Sequence, residues 1–295
     1  MDRIVYLDNN ATTQMAQEVI EIMAENADLY GNASSMHTLG RSSSTAIEWA
    51  RGEVAALIDS DPGEIYFVSG ASEANNTVFN VFRDRIDAGD KRDRILLSSV
   101  EHPASIETMK YLVSKGYKVE TVPVDSVGEL KIDELERMMD EDVCLVSVMT
   151  GNNESGVIQP VKKASEIAHK YGAYFHTDAT QAIGKIPVSV KEIGADYLSM
   201  SAHKFYGPKG IGVLYAKKGV PLSPFVHGGH QEKGYRAGTY NNQAIIGMGK
   251  AAELARVNLK SEHDELWRLR EKLRKGIEER VPNVVVNGTN DENKC

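Results

Sequence analysis

Cysteine is scarce in this chain: of its 295 residues only Cys144 and Cys295 carry a thiol. Two thiols supply neither a disulfide framework nor a metal-ligand cluster, and they point to a reducing, cytoplasmic setting. Long apolar runs are missing too. No stretch approaches the roughly 18 apolar residues that cross a bilayer, so no membrane association is expected. The opening Met1-Asp-Arg-Ile-Val-Tyr6 reads as entry into a strand without a signal peptide. A net charge of −8 with no concentrated basic cluster argues against a nucleic-acid partner and leaves room for small anions at local sites. No internal repeat, low-complexity tract or long flexible linker interrupts the chain. Its length suits one large domain or two.

What is present is an alternation. Apolar residues recur at helical spacing around Val19, Ile20, Met23 and Ala27, and again around Ala46, Trp49, Ala50, Val54 and Leu57. A Gly/Asn/Ser-rich loop over residues 31–35 separates them. Beyond it, short apolar runs alternate with helix-length amphipathic segments. The runs are 65–68, 95–97, 119–122, 143–149, 174–175, 197–200 and 211–215. This order predicts an α/β fold: a mainly parallel central sheet with helices on both faces. In such sheets chemistry gathers at the carboxyl ends of strands, where Ser69–Ser72, His102, Asn153, Asp178 and Lys204 fall. Residues 241–279 read as one helix with Leu266, Leu269, Leu273 and Ile277 on a single face. That helix is expected to lead out of a large domain, 1–258, into the start of a smaller one, 259–295, opened by a strand at Val284-Val-Val-Asn-Gly288.

The most informative stretch is Ser201-Ala-His-Lys-Phe-Tyr-Gly-Pro-Lys-Gly210, preceded by Thr177-Asp-Ala-Thr-Gln181. A lysine between an apolar strand and a Gly/Pro turn is held rigidly, and a lone carboxylate stands upstream at another strand end. Pyridoxal phosphate (PLP) chemistry needs this layout: Lys204 can form a Schiff base with the aldehyde, and Asp178 can keep the pyridine nitrogen protonated. Ser201 and His203 supply donors suited to a phosphate. Ser69-Gly-Ala-Ser72 runs into a helical pattern, so the backbone N–H groups around Ala71 and Ser72 form a further anion site; a plain Ser72 cap is compatible with that. Taken singly each has an ordinary reading, Lys204 as an exposed strand-end lysine, Asp178 as a helix cap, His102 and Asn153 as loop residues. His227, His230 and Glu232 make a poor metal signal, and no metal is expected.

Together these segments resemble the PLP-dependent cysteine desulfurases of iron–sulfur cluster assembly and nitrogen fixation, within aminotransferase class V. The likeness extends through Tyr6-Leu-Asp-Asn-Asn-Ala-Thr-Thr13, Tyr30-Gly-Asn-Ala-Ser-Ser35, Ser69–Asn75, Glu101-His102, Asn152-Asn-Glu154 and His227-Gly-Gly-His-Gln-Glu232 to Arg236-Ala-Gly-Thr239 and about Gly288. It implies fold-type I and a cytoplasmic homodimer acting on L-cysteine to give alanine and a persulfide, with an iron–sulfur scaffold protein accepting the sulfur. By resemblance Lys204 and His102 are catalytic, with His102 stacked on the ring. Asp178 meets the pyridinium nitrogen, and Gln181 and Asn153 lie near the ring hydroxyl. Ser201, His203 and the Ala71–Ser72 turn hold the phosphate, and Thr239 reaches the phosphate of the neighbouring subunit. Serine at 72 and Arg-Ala-Gly-Thr at 236–239 depart modestly from the usual pattern.

Desulfuration also needs a thiolate, which the family places in a mobile C-terminal loop together with a substrate-binding arginine. Cys144 sits in a predicted strand and Cys295 in a polar tail, so neither matches. The 295-residue form is therefore expected to be an inactive or incomplete piece of a longer desulfurase. The alternatives are a short paralogue that binds PLP without sulfur transfer, or another class V enzyme such as a selenocysteine lyase or a small-molecule aminotransferase.

Overall fold

The structure, a computed structural model, describes residues 4–295. Its centre is a seven-stranded sheet: β1 (Ile65–Val68), β2 (Arg94–Ser98), β3 (Lys118–Val122), β4 (Val143–Ser147), β5 (Tyr174–Asp178), β6 (Tyr197–Ser201) and β7 (Gly212–Ala216). They stand in the order β1-β7-β6-β5-β4-β2-β3. From β3 to β6 every neighbouring pair is parallel. β7 is antiparallel to both β1 and β6, so β1 points the same way as the parallel set. The seven apolar runs of the sequence are these seven strands. They read as continuous runs because both faces are covered; all five residues of β4, β6 and β7 are buried.

Side-chain alternation divides each strand between two layers. On β1, Ile65 and Phe67 pack with α1 (Gln17–Glu25), α2 (Thr38–Leu57) and α8 (Asn242–Glu278), through residues such as Val19, Val54 and Met248. Tyr66 and Val68 pack on the opposite face with Val78 and Phe82 of α3 (Ala71–Asp87) and Leu112 of α4 (Pro103–Ser114). The far half of the sheet is covered by Leu135 of α5 (Ile132–Met138) and by Ala164 and Ile167 of α6 (Val161–Lys170). α7 (Val190–Ile193) is a single turn ahead of β6. Fully burying a side chain such as Phe82 contributes on the order of 1.5–3 kcal/mol, and the sandwich repeats that gain across the whole sheet.

Two expected strands do not form. Residues 4–8 and Val284–Gly288 both lie in irregular structure without strand pairing; residues 1–3 of the expected opening strand fall outside the described residues. Their apolar β-branched residues suit a strand, but neither segment reaches an edge of the sheet, and a strand needs a partner. α8 runs unbroken through residue 258. Its last buried residue is Ala255, and beyond that point Val257, Leu266, Leu269, Leu273 and Ile277 are exposed.

Candidate active site

Because β1, β2, β4, β5 and β6 run in one direction, the segments that follow them meet along a single edge of the sheet. They surround a cavity of about 530 Å³. Nine of the residues singled out from the sequence line it: Ala71, Ser72, His102, Asn153, Asp178, Gln181, Ser201, His203 and Lys204. Thr239 does not. It lines a neighbouring cavity of about 220 Å³ with Arg236, and the two cavities share Ser69 and Gly210.

Lys204 ends a 3₁₀ turn directly after β6. The turn closes through Phe205 N–H and Gly207 N–H, which both donate to Ala202 O, at 3.1 and 2.9 Å, while Tyr206 takes a left-handed φ of 63°. A non-glycine residue holds that conformation only where its surroundings fix it. The fixing group is Thr13: its N–H and Oγ1 donate to His203 O at 2.9 and 3.0 Å, and its Oγ1 accepts from Tyr206 N–H at 2.8 Å. Thr12 Oγ1 lies 3.1 Å from His203 Nδ1. The Lys204 ammonium donates to Asn10 O and to Ala11 O. The Asn-Asn-Ala-Thr-Thr segment of the sequence is thus a brace around the lysine. Burial lowers the Lys204 pKa, partly offset by Asp178 and Asp8, and burial with the cations Lys204, Lys209 and Lys185 lowers that of His203.

Asp178, the last residue of β5, is buried at the floor of the cavity. One carboxylate oxygen accepts from Asn75 Nδ2 at 2.8 Å and the other from Thr180 N–H at 3.0 Å. Residues 179–186 form turns rather than the helix that an aspartate cap would imply. Thr180 Oγ1, also in the cavity wall, is buried without a partner.

The opposite wall is the N-terminus of α3. Its cap residue is Gly70 and no side chain caps it, which corrects the reading of Ser72 as cap: Ser72 lies inside the first turn. The first-turn N–H groups have no acceptor within the helix. Ser201 Oγ lies 3.6 Å from where a Cβ on Gly70 would stand, and a Cβ on Gly212 would come within 2.6 Å of Gly70 Cα. Only glycine lets β7 approach the helix start so closely. Glu73 ties the same turn to the 226–240 loop, accepting from Ser69 N–H at 2.8 Å and from Arg236 Nε at 2.9 Å. His102 caps α4, its Nδ1 accepting from Ala104 N–H at 3.1 Å. Asn153 donates to Glu154 at 2.7 Å.

Several contributors carried no assigned role in the sequence reading. Asn75 was quoted only as the end of a motif. Glu101, beside His102, is fully enclosed; Oε1 accepts from Ser98 Oγ at 2.6 Å and Met149 N–H at 2.7 Å, and Oε2 has no partner. Burial, with Asp178 nearby, pushes its carboxyl up to about 8. Glu232, weighed as a metal ligand, is instead paired with Arg51 at 2.7 and 2.8 Å and accepts from Phe67 N–H at 2.8 Å. Cys144 is buried in β4, where desolvation pushes its thiol up to about 12. Cys295 lines a second cavity behind Gln181, away from Lys204.

The Aminotransferase class-V family matches residues 5–295. A cysteine desulfurase from Sinorhizobium fredii is 47% identical over 97% of this chain and 74% of its own length. The cysteine desulfurase IscS of Dictyoglomus turgidum is 44% identical over 98% of this chain and 73% of its own. Among solved structures, a NifS-like protein superposes with a TM-score of 0.90 at 44% identity, covering 93% of this chain and 76% of that one. SspA in complex with cysteine gives 0.81 at 34% identity, covering 85% and 72%.

Proposed function

The chain belongs to the aminotransferase class V family, and from that premise we propose that it is a PLP-dependent cysteine desulfurase, removing sulfur from L-cysteine to leave L-alanine and a persulfide. The observation that carries the reading is the constellation in one cavity: a lysine of lowered pKa facing a buried carboxylate, between a helix N-terminus and paired hydroxyl and imidazole donors.

The cavity suits PLP by the chemistry of its donors. The free first-turn N–H groups of α3 at Ala71 and Ser72, with Ser201 and His203, would hold a phosphate; the orphaned Thr180 Oγ1 leaves a further polar contact open beside Asp178. Asp178 would meet the pyridine nitrogen, held in place by Asn75 and Thr180, and Gln181 and Asn153 would meet the ring hydroxyl. When bound, PLP supplies an electron sink for bond breaking at the substrate's α- and β-carbons. Lys204 Nζ anchors the cofactor and then accepts the α-proton of L-cysteine, a task its lowered pKa favours. His102 relays protons from the rim. The sulfur passes to an external thiol, RSH becoming RSSH as cysteine becomes alanine, because Cys144 is buried and protonated and Cys295 lies outside the cavity.

Other parts of the reading rest on family resemblance. Thr239, in the adjoining cavity, would serve the phosphate of a second subunit, making the protein a homodimer. An iron–sulfur scaffold protein would accept the sulfur, in the cytoplasm. Residues 1–258 would form the PLP domain and 259–295 the start of a smaller one, consistent with the last buried residue of α8 being Ala255. The test is to reconstitute the protein with PLP and measure alanine formed from L-cysteine with and without dithiothreitol, which supplies the thiol that neither Cys144 nor Cys295 offers. Little or no alanine is expected from the chain's own thiols, and any turnover restored by dithiothreitol should give alanine and sulfide in equal amounts; a keto acid instead would identify a transaminase and end the proposal.

A further inference from the structure

Gln181 stands between two cavities. It lines the one around Lys204 and also a second, of about 410 Å³, whose wall includes Lys185 and Trp267. From that rear side Lys185 Nζ donates to Gln181 O and to Gln181 Oε1, both at 3.1 Å. The pair is chemically one-sided: an ammonium offers three donors and no acceptor, so only the carboxamide oxygen can face it. The amide nitrogen must then point the other way, and Nε2 does donate to Asn10 O at 3.0 Å, the carbonyl that also accepts from Lys204. Asn10 O, an acceptor only, asks for the same orientation from the front, and Lys185 fixes it from behind, so the flipped carboxamide would lose both contacts.

We infer that Lys185 is a positioning residue whose ammonium locks the Gln181 carboxamide with Nε2 directed to the Lys204 side, so that Gln181 meets the cofactor's ring oxygen with an N–H and never with a lone pair. The inference rests on the cavity being a PLP site with Gln181 in its wall. It accounts for a cation kept in a costly place: burial, with Lys204 close by, pulls the Lys185 ammonium down to about 8. The plainer reading is that Lys185 only ties back the turn through Gln181 O.

A double-mutant cycle on the apoprotein separates the two, with the PLP dissociation constant read from absorbance titration and the melting temperature of each apoprotein as control. Gln181→Ala should weaken PLP binding roughly three- to tenfold, the worth of one hydrogen bond. Lys185→Met, which keeps the length and drops the charge, should weaken it to a similar extent without lowering the melting temperature. The double variant should be no weaker than Gln181→Ala alone, because the effect passes through the carboxamide. Lys185→Arg, which keeps a donor facing Oε1, should recover most of the loss. Equal losses from Lys185→Met in the parent and in the Gln181→Ala background, or no loss in the parent, would overturn the inference and leave the cavity reading standing. If Gln181→Ala itself binds PLP as the parent does, the placement of Gln181 against the cofactor falls and takes the inference with it.

Discussion

The edge of the sheet and the outer half of α8 are built on opposite principles. At the edge, polar groups are buried and find partners far away in sequence: Asn75 with Asp178, Thr13 with His203, Arg51 with Glu232. Beyond Ala255 most ion pairs lie on the surface and close within one helical turn, as in Arg268 with Glu265 and Lys260 with Asp264, with a few reaching further, such as Arg256 to Glu53. Local pairs of the second kind form with the helix and add little. Long-range pairs of the first kind form only when the fold is complete, and once formed they cannot be lost singly without stranding a buried partner. The chemistry sits where geometry is over-determined.

The largest expected effect is therefore at the centre of that edge. Lys204→Ala should remove the borohydride-reducible link to PLP and lower alanine formation by a factor on the order of 10⁴. Reduction followed by peptide mapping checks it. A link still fixed at another lysine would move the anchor elsewhere and with it the whole constellation.

Next comes the buried ion pair that ties the 226–240 loop to α2 and β1. Arg51 donates from two nitrogens to Glu232, and the guanidinium also lies 4.7 Å over the Phe67 ring. Glu232→Ala takes away the buried partner of that cation, leaving it only the exposed Glu48 and Ile65 O, and strands the Phe67 N–H; it should cost about 3–5 kcal/mol in urea unfolding. A loss under about 1 kcal/mol would place the pair with the surface bridges of α8 and erase the contrast.

Glu101 sharpens the comparison through pH. Its folded pKa, about 8, lies above its ordinary value of 4.5, so between these limits the folded state keeps a proton that the unfolded chain releases. Its contribution to stability is complete below about pH 4.5 and is lost as pH rises through 8, at no more than about 1.4 kcal/mol per unit. Glu101→Gln carries no such proton and should show a flatter stability curve over that window; parallel curves would mean that Glu101 is already ionised in the folded protein.

The same division decides what could be read from the sequence. The strands were legible because a sheet covered on both faces imposes unbroken apolar runs, and Lys204, Asp178 and Ser201 stood out because they close such runs. Gln181 was legible by resemblance, yet Lys185 behind it was not, since a lysine after a glycine in a turn carries no pattern. Asn75 and Glu101 escaped for a related reason: each acts on a residue of another element, and no spacing encodes that. The Thr12–Thr13 segment was visible as a motif while its task of bracing Tyr206 and Lys204 was not. Residues 4–8 and 284–288 misled because strand propensity is a local quantity, whereas an edge to pair with is a global one.

The smallest effect belongs on the outer half of α8. Leu273 is 60% exposed and Leu269 45%, on the apolar face that the sequence pattern marks, and in this chain nothing described covers them. Replacing an exposed leucine changes little apolar burial, and glutamine has nearly the same helix propensity. Leu273→Gln should therefore shift unfolding free energy by no more than about 0.5 kcal/mol, against several kcal/mol for Phe79→Ala in the α3 layer, where the side chain is fully enclosed. Urea denaturation of the two variants side by side measures the ratio. A cost of 2 kcal/mol or more at Leu273 would mean that the face is packed in solution, and the contrast between a determined edge and an open helix would then describe one chain in isolation rather than the protein in its working state.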